Sequence, residues 1–204
     1  MVRQSARPKH PRIHRREALS STAAAVAFAN TRSSSKRDRI ATLAQWRGWI
    51  DAYPGLAREG RRVTRHGLAT IREVRDDVQE VFRAVAMGER PKTDVVERMT
   101  ASASTMPAPA VRWRSGHGAV MMLDAVADPS AAIAHHFARM AIDVLIVGTR
   151  LRVCTGPDCL KVFVPGRSDR RWCDDAVCGN RSRVRAHRER QRRMSERAPE
   201  GVVV

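Results

Sequence analysis

The residue types that could do chemistry in this chain are four cysteines, all within 25 residues, arranged as Cys154-x4-Cys159 and Cys173-x4-Cys178 with thirteen residues between the pairs. Two pairs at matched short spacing make two half-sites, and tetrahedral Zn(II) needs four soft ligands brought together from two such turns. The intervening residues suit that geometry. Thr155-Gly156-Pro157-Asp158 supplies a tight turn within the first pair, while Phe163 and Trp172 offer the large apolar groups that a very small module requires. The same sulfurs could form two disulfides in an exported chain, or hold an iron-sulfur cluster. Four thiolates around zinc leave no open coordination position, so a zinc site here would be structural rather than catalytic. Without metal the segment is expected to lose its fold.

Directly after the last cysteine comes a basic run. Eight arginines fall between positions 181 and 197, opposed only by Glu189 and Glu196. On a helix, Arg181, Arg185, Arg188 and Arg192 lie at i, i+4, i+7 and i+11 and form one cationic stripe, with Arg183, Arg190 and Arg193 beside it. At about 1.5 Å per residue such a helix runs roughly 25 Å, enough to follow a major groove or straddle phosphates. Like charges at this spacing repel, so the helix is best stabilised against an anion. Asn180 reads as the N-cap of this helix, with a base contact as the alternative.

The charge distribution points the same way. Of 204 residues, 38 are Lys or Arg and 21 are Asp or Glu, a formal net charge of +17. Residues 1–39 carry a surplus of eight positive charges and residues 150–204 a surplus of seven, leaving the middle near neutral. Two basic ends around a near-neutral body is the distribution expected of a chain that meets a polyanion, because phosphate neutralisation releases counterions and supplies sequence-independent affinity. Hydrophobic residues make up 43%, enough for one real core and against a wholly disordered chain. Only 4% are aromatic, leaving few platforms on which the bases of a single strand could stack.

The elements that must position these groups are mostly helices. Leu19, Ala23, Val26 and Asn30 recur at helical spacing. Arg15-Arg16 ahead of this stretch resembles an export signal only superficially, since Glu17 follows the pair and Ser20, Ser21 and Thr22 dilute the apolar centre. Ile40, Leu43, Trp46, Trp49 and Ile50 share a face, predicting a helix over 39–53 that Pro54-Gly55 ends. Leu68, Ile71, Val74, Val78, Val81, Phe82 and Val85 predict a long helix over 66–87, stopping at Gly88. A further helix is expected over 91–104, capped by Thr93 or Asp94, then a hairpin pairing Ala110–Arg114 with Ala119–Leu123. Pro129 opens the last body helix, 130–148, with Ile133, Phe137, Met140, Ala141, Val144, Leu145 and Val147 facing inward. No apolar run is long enough to span a bilayer, so no membrane association is expected.

No catalytic constellation can be assembled. His135 and His136 point about 100° apart on one helix and cannot share a metal from that element alone, while His66 and His117 have no spaced carboxylate or cysteine partner. The signatures of serine hydrolases, nucleotide-binding loops and zinc proteases are missing, and no enzyme activity is expected.

Cys154-x4-Cys159, Phe163, Ser168, Arg170-Arg171-Trp172-Cys173 and Cys178-Gly179-Asn180-Arg181, followed by Arg183, His187 and Arg190, resemble the CGNR zinc finger found at the carboxyl end of a family of bacterial stress-induced transcription regulators. The body resembles that family's ABATE domain: Phe28-Ala29-Asn30-Thr31 is similar to its F-x-N-T signature, Trp46 to its second-helix Trp, and Arg72–Arg83 to part of its long helix. The resemblance covers roughly residues 18–193. It departs at Pro165, where many members have Asp, and at Ala27, where an acidic residue often precedes the Phe. It implies zinc ligation by the four cysteines and DNA binding by the finger.

Together these readings predict a mainly α chain with a small β-hairpin (α+β). A basic tail (1–16) precedes an α-rich, ABATE-like domain (17–149) that binds a ligand or partner or forms a homodimer. A four-cysteine finger with its basic helix follows (150–197), then a short tail (198–204). The expected role is a cytoplasmic, zinc-dependent transcription regulator whose Arg170, Arg171, Arg181, Arg183, Arg185 and Arg188 contact duplex DNA. The alternatives are an RNA-binding or ribosome-associated protein, and a redox sensor in which oxidised thiolates release zinc.

Overall fold

The computed structural model describes residues 21–104, 110–114, 118–122 and 128–197. The expected tails, Leu19 and His117 lie outside the described residues. Seven α-helices and three two-stranded antiparallel sheets are present among those that are described.

The body is built on α4 (Arg65–Met87) and α6 (Pro129–Ile146), against which α1 (Ser21–Ala29) and α5 (Thr93–Ser104) pack. α4 begins at Thr64, whose hydroxyl accepts the Gly67 N–H, and ends at Gly88 with φ of 75°. Leu68, Ile71, Val74, Val78, Val81 and Phe82 are buried as expected, whereas Val85 at the end of the stripe is exposed. α6 starts at Pro129 under an Asp128 cap, and its Ile133, Phe137, Ala141 and Val144 are buried. Val147 is 79% exposed instead of inward, because α6 ends at Ile146 and the chain turns away before Val147 reaches the core.

Between α1 and α4 the single helix expected over 39–53 is shorter and has a neighbour. Thr42 and Gln45 form a reciprocal capping box that starts α2 (Leu43–Ile50) three residues inside the periodic stretch. Pro54 does not merely stop this helix; it occupies the first turn of another, α3 (Pro54–Arg62), where its missing N–H costs nothing. Trp46 ties the two together by donating its indole N–H to the Gly60 carbonyl at 2.8 Å. Aromatic rings fill the junction of α1, α2 and α6: Phe28 stacks on Phe137 with centroids 4.3 Å apart, and Tyr53 meets Phe137 edge-on at 5.7 Å.

The expected hairpin is present as β3 (Ala110–Arg114) and β4 (Gly118–Met122), with Arg112 opposite Val120. A second hairpin is not marked by alternating apolar residues. β1 (Arg32–Ser34) and β2 (Arg37–Asp38) follow α1 and are polar throughout. Their anchor is electrostatic. Arg75 of α4, completely buried, donates to both carboxylate oxygens of Asp38 at 3.1 and 2.9 Å, to Thr31 Oγ1 at 3.1 Å and to Asp76 at 2.8 Å. Gln79, one turn further along, donates to the carbonyls of Ala29 and Arg32.

The chain then forms β5 (Arg152–Val153) and β6 (Val162–Phe163), a one-turn π-helix at Asp175–Gly179, and α7 (Asn180–Arg197). Leu151 and Val162 belong to the body's core, with Val153 packed against it. The finger is therefore seated on the body through a shared apolar layer.

Candidate metal centre and cationic surface

Each cysteine is placed by a local device. β5 delivers Cys154, whose N–H donates to the Lys161 carbonyl and so continues the β5–β6 pairing. The Thr155–Asp158 turn closes with the Cys159 N–H on the Gly156 carbonyl at 3.1 Å, helped by Asp158 at φ 58°, a left-handed conformation that Asp tolerates better than most residues. Thr155 fastens the second half-site to the first by donating its N–H and its hydroxyl to the Arg171 carbonyl. Cys173 follows two residues later, on backbone that belongs to no strand or helix. Cys178 lies inside the π-turn, which starts where the Asp174 carboxylate accepts the Val177 N–H at 2.9 Å.

These devices bring the four sulfurs within 4.8 Å of one another, the one group of His, Cys, Asp or Glu side chains so placed among the described residues. None of the sulfurs is disulfide-bonded. Cys159 and Cys173 are 3.8 Å apart and Cys173 and Cys178 3.6 Å. Zn–S bonds of about 2.3 Å at tetrahedral angles put sulfurs about 3.8 Å apart, so these two separations match those of a tetrahedral tetrathiolate site. Backbone groups support it: the N–H groups of Gly156 and Cys173 point at Cys154 Sγ at 3.4 and 3.3 Å. Space at the site is reserved by glycine. A Cβ on Gly156 would come within 2.9 Å of Cys178 Cβ and 3.3 Å of its sulfur.

The sulfurs shift one another's acidity. Cys159 is drawn down to about 5, chiefly by the hydrogen bond from Cys173, while that same bond, followed by burial and the adjacent sulfurs, pushes Cys173 well above the ordinary thiol range. Cys178 is pushed up to about 11 by burial first. Sulfurs packed this closely disfavour one another's ionised form, and a positive ion among them favours it.

The aromatic groups lie where the cysteine spacing suggests. Cys154, Phe163 and Cys178 form a small buried cluster, with Trp172 half-buried against it. One strand of this module, β6, and the residues leading into it are nonetheless held from outside. The Leu160 N–H donates to the Ser33 carbonyl, Arg83 donates to the Leu160 carbonyl, and Asn30 bonds both backbone groups of Val162. These contacts tie residues 160–162 to the body independently of the sulfurs.

Asn180 is not a helix N-cap. It has helical angles (φ −60°, ψ −45°) and follows the π-turn without a break, so the cap role falls to Asp174 six residues earlier. Gly179 explains why the turn can be this tight: a Cβ there would come within 2.5 Å of the Asp175 carboxylate and 3.2 Å of the Trp172 ring. α7 then projects outward, and every side chain from Arg183 to Ser195 is exposed.

The six arginines expected at the DNA divide into two sets. Arg170 lies over Phe163 at 5.1 Å and donates to the carbonyls of Trp172 and Cys173. Arg171 and Arg183 both lie over Trp172 at 5.7 Å, and Arg183 pairs with Asp175. These three brace the finger. Arg181 reaches back to the Pro157 carbonyl at 3.3 Å, while Arg185 and Arg188 are exposed with no partner among the described residues. A cleft of about 570 Å³ runs between the first knuckle and this face of α7, lined by Pro157, Asp158, Arg181, Arg185 and Arg188 among others.

Among the described residues, the histidines make no second site. His135 and His136 sit side by side on α6, with His136 buried against the edge of Phe137. No helix among the described residues is long and apolar enough to cross a membrane.

A helical body carrying a compact four-cysteine module and a projecting basic helix is thus the class of protein that the geometry defines. Residues 150–191 match the CGNR zinc finger, and residues 22–148 match ABATE, described as a putative stress-induced transcription regulator. The second match spans more than half of the chain, and the chain belongs to the ABATE family. No curated protein matches it.

Proposed function

We propose that this chain is a zinc-dependent, DNA-binding transcription regulator. Cys154, Cys159, Cys173 and Cys178 hold one zinc ion, which fixes the start of α7. Arg181, Arg185 and Arg188 meet the phosphates of a duplex, and Arg170, Arg171 and Arg183 shape the finger beneath them. The helical body (17–149) serves for sensing or dimerisation, and the finger with α7 (150–197) is the module that contacts DNA in the cytoplasm. The observation that carries this reading is the exposed arginine face of α7, which leaves directly from the cysteine cluster with no acidic partners at Arg185 or Arg188.

The test is binding of the zinc-loaded chain to a labelled duplex over a salt series. Affinity should fall steeply with salt, as expected when phosphate neutralisation releases counterions. Arg185→Ala and Arg188→Ala should each weaken binding while leaving zinc content unchanged. Structured RNA that displaces the duplex at lower concentration than duplex DNA itself would turn the assignment to RNA.

A further inference from the structure

A second cleft, of about 520 Å³, lies between the finger and the polar β1–β2 hairpin of the body. Its walls carry Lys36 and Arg37 from the hairpin, Lys161 and Arg181 from the finger, and the serine run Ser33–Ser35. Lys36, Arg37 and Lys161 have no acidic partner among the described residues, and the three serine hydroxyls have no bonded partner there either. One carboxylate, Asp158, faces these four cations, and the Cys159 and Cys178 sulfurs line the same cleft. Uncompensated cations beside free hydroxyls make a surface for phosphate oxygens, which take hydrogen bonds from Ser as readily as from Lys and Arg.

The cleft is continuous with the groove along α7. Arg181 and Asp158 line both, so the cationic surface runs from Arg188 and Arg185 on α7, through Arg181, to Lys36 and Arg37 on the body. A track of this extent suits a nucleic-acid backbone better than a small anion held at one point. The hairpin is also fixed relative to the finger. Its base is locked by the buried Arg75–Asp38 pair, and its Ser33 carbonyl accepts the Leu160 N–H at 3.0 Å.

We infer that the duplex-binding surface extends off the finger onto the amino-terminal body, where Lys36, Arg37 and the adjoining serine hydroxyls hold the DNA backbone beyond Arg181. This rests on the duplex-binding reading above and adds a second contact region to it. Body and finger then bind one duplex as a unit, and the hairpin sets the angle at which α7 approaches.

The experiment compares the full zinc-loaded chain with Lys36→Ala/Arg37→Ala and with Arg47→Ala/Arg58→Ala, which removes two exposed charges from α2 and α3. A labelled duplex is titrated over a salt series, with zinc content and melting temperature measured for each protein. The hairpin variant should bind about tenfold more weakly at 0.1 M salt, with a log–log salt slope flatter by about 1.8, ~0.9 for each phosphate left without its cation. The matched variant should keep the wild-type slope. Equal slopes for wild type and the hairpin variant, or an equal loss in the matched variant, would overturn the inference while leaving the finger's role intact. A wild-type chain that binds no duplex would overturn both.

Discussion

Asn30 holds Val162 by both of its backbone groups: its Nδ2 donates to the Val162 carbonyl at 2.7 Å and its Oδ1 accepts the Val162 N–H at 2.9 Å. Asn30 closes the first helix of the body, and Val162 lies in the strand between the two cysteine half-sites, 132 residues later. A side-chain amide that mimics a neighbouring strand satisfies an edge that would otherwise be unpaired. It joins body to finger at a fixed register.

Asn30→Ala is therefore expected to cost about 2 kcal/mol, ~1 for each hydrogen bond. The localised readout is hydrogen exchange. The Val162 amide should lose protection well beyond the change in global stability, whereas amides of α4 should track global stability alone. Unchanged protection at Val162 would mean that the contact is not formed in solution.

The buried Arg75 makes Asp38 indispensable to the fold. Asp38→Ala leaves a guanidinium at zero exposure with Thr31 and Asp76 as its remaining partners, and should destabilise the body by about 3 kcal/mol, at the lower end for breaking a buried ion pair. Denaturant titration measures this loss. A value below about 1 kcal/mol, the range of an exposed pair, would contradict the assigned pairing.

Stability should fall with acid in two stages. Burial holds His136 below its ordinary value near 6.5, so the unfolded chain takes up a proton that the fold refuses, and stability declines as pH drops below about 6.5. Asp38 behaves as a depressed carboxylate. Burial alone would raise it, but hydrogen bonds from Arg75 and the Ile40 N–H, with the charges of Arg75 and Arg72, outweigh that effect. Its contribution is intact above about 3.9 and disappears as pH falls through its lower folded value. Melting temperatures between pH 7.5 and 3 should show both steps, and His136→Gln should flatten the first. A melting temperature constant from pH 7 to 5 would exclude the buried neutral imidazole.

Asp158 is the one acid where the two cationic clefts meet. Asp158→Asn keeps a side chain that tolerates φ of 58° and removes the charge, so duplex affinity at low salt should rise severalfold with zinc content unchanged. Weaker binding would place Asp158 among the groups that support the interface.

The parts of this molecule that can be read from its residues are those with a period or a spacing. The stripes Leu68–Phe82 and Ile133–Val144 are plain because apolar burial at 3.6-residue intervals leaves a repeating mark, and the cysteine pairs are plain because tetrahedral ligation needs that spacing. What escapes is held by polar groups. The β1–β2 hairpin has no apolar alternation, since Arg75 and Gln79 anchor it from α4. A signal does exist: Arg75 and Gln79 stand one turn apart at positions the helical period assigns to the core, and a charge there calls for a buried partner. α3 escapes because Pro54 reads as the stop of one helix when it is the start of the next. The bracing roles of Arg170 and Arg183 depend on rings and carbonyls brought close only by the folded knuckles.

If a metal held by Cys154, Cys159, Cys173 and Cys178 sets α7 for contact with a duplex, metal content and DNA affinity must rise and fall together. Both can be measured on one sample, before and after chelation under reducing conditions. One zinc per chain and salt-sensitive binding are expected, with that binding abolished when zinc is withdrawn and recovered on its return. A chain that carries no metal, or that binds the duplex equally well with its zinc stripped, would refute the dependence.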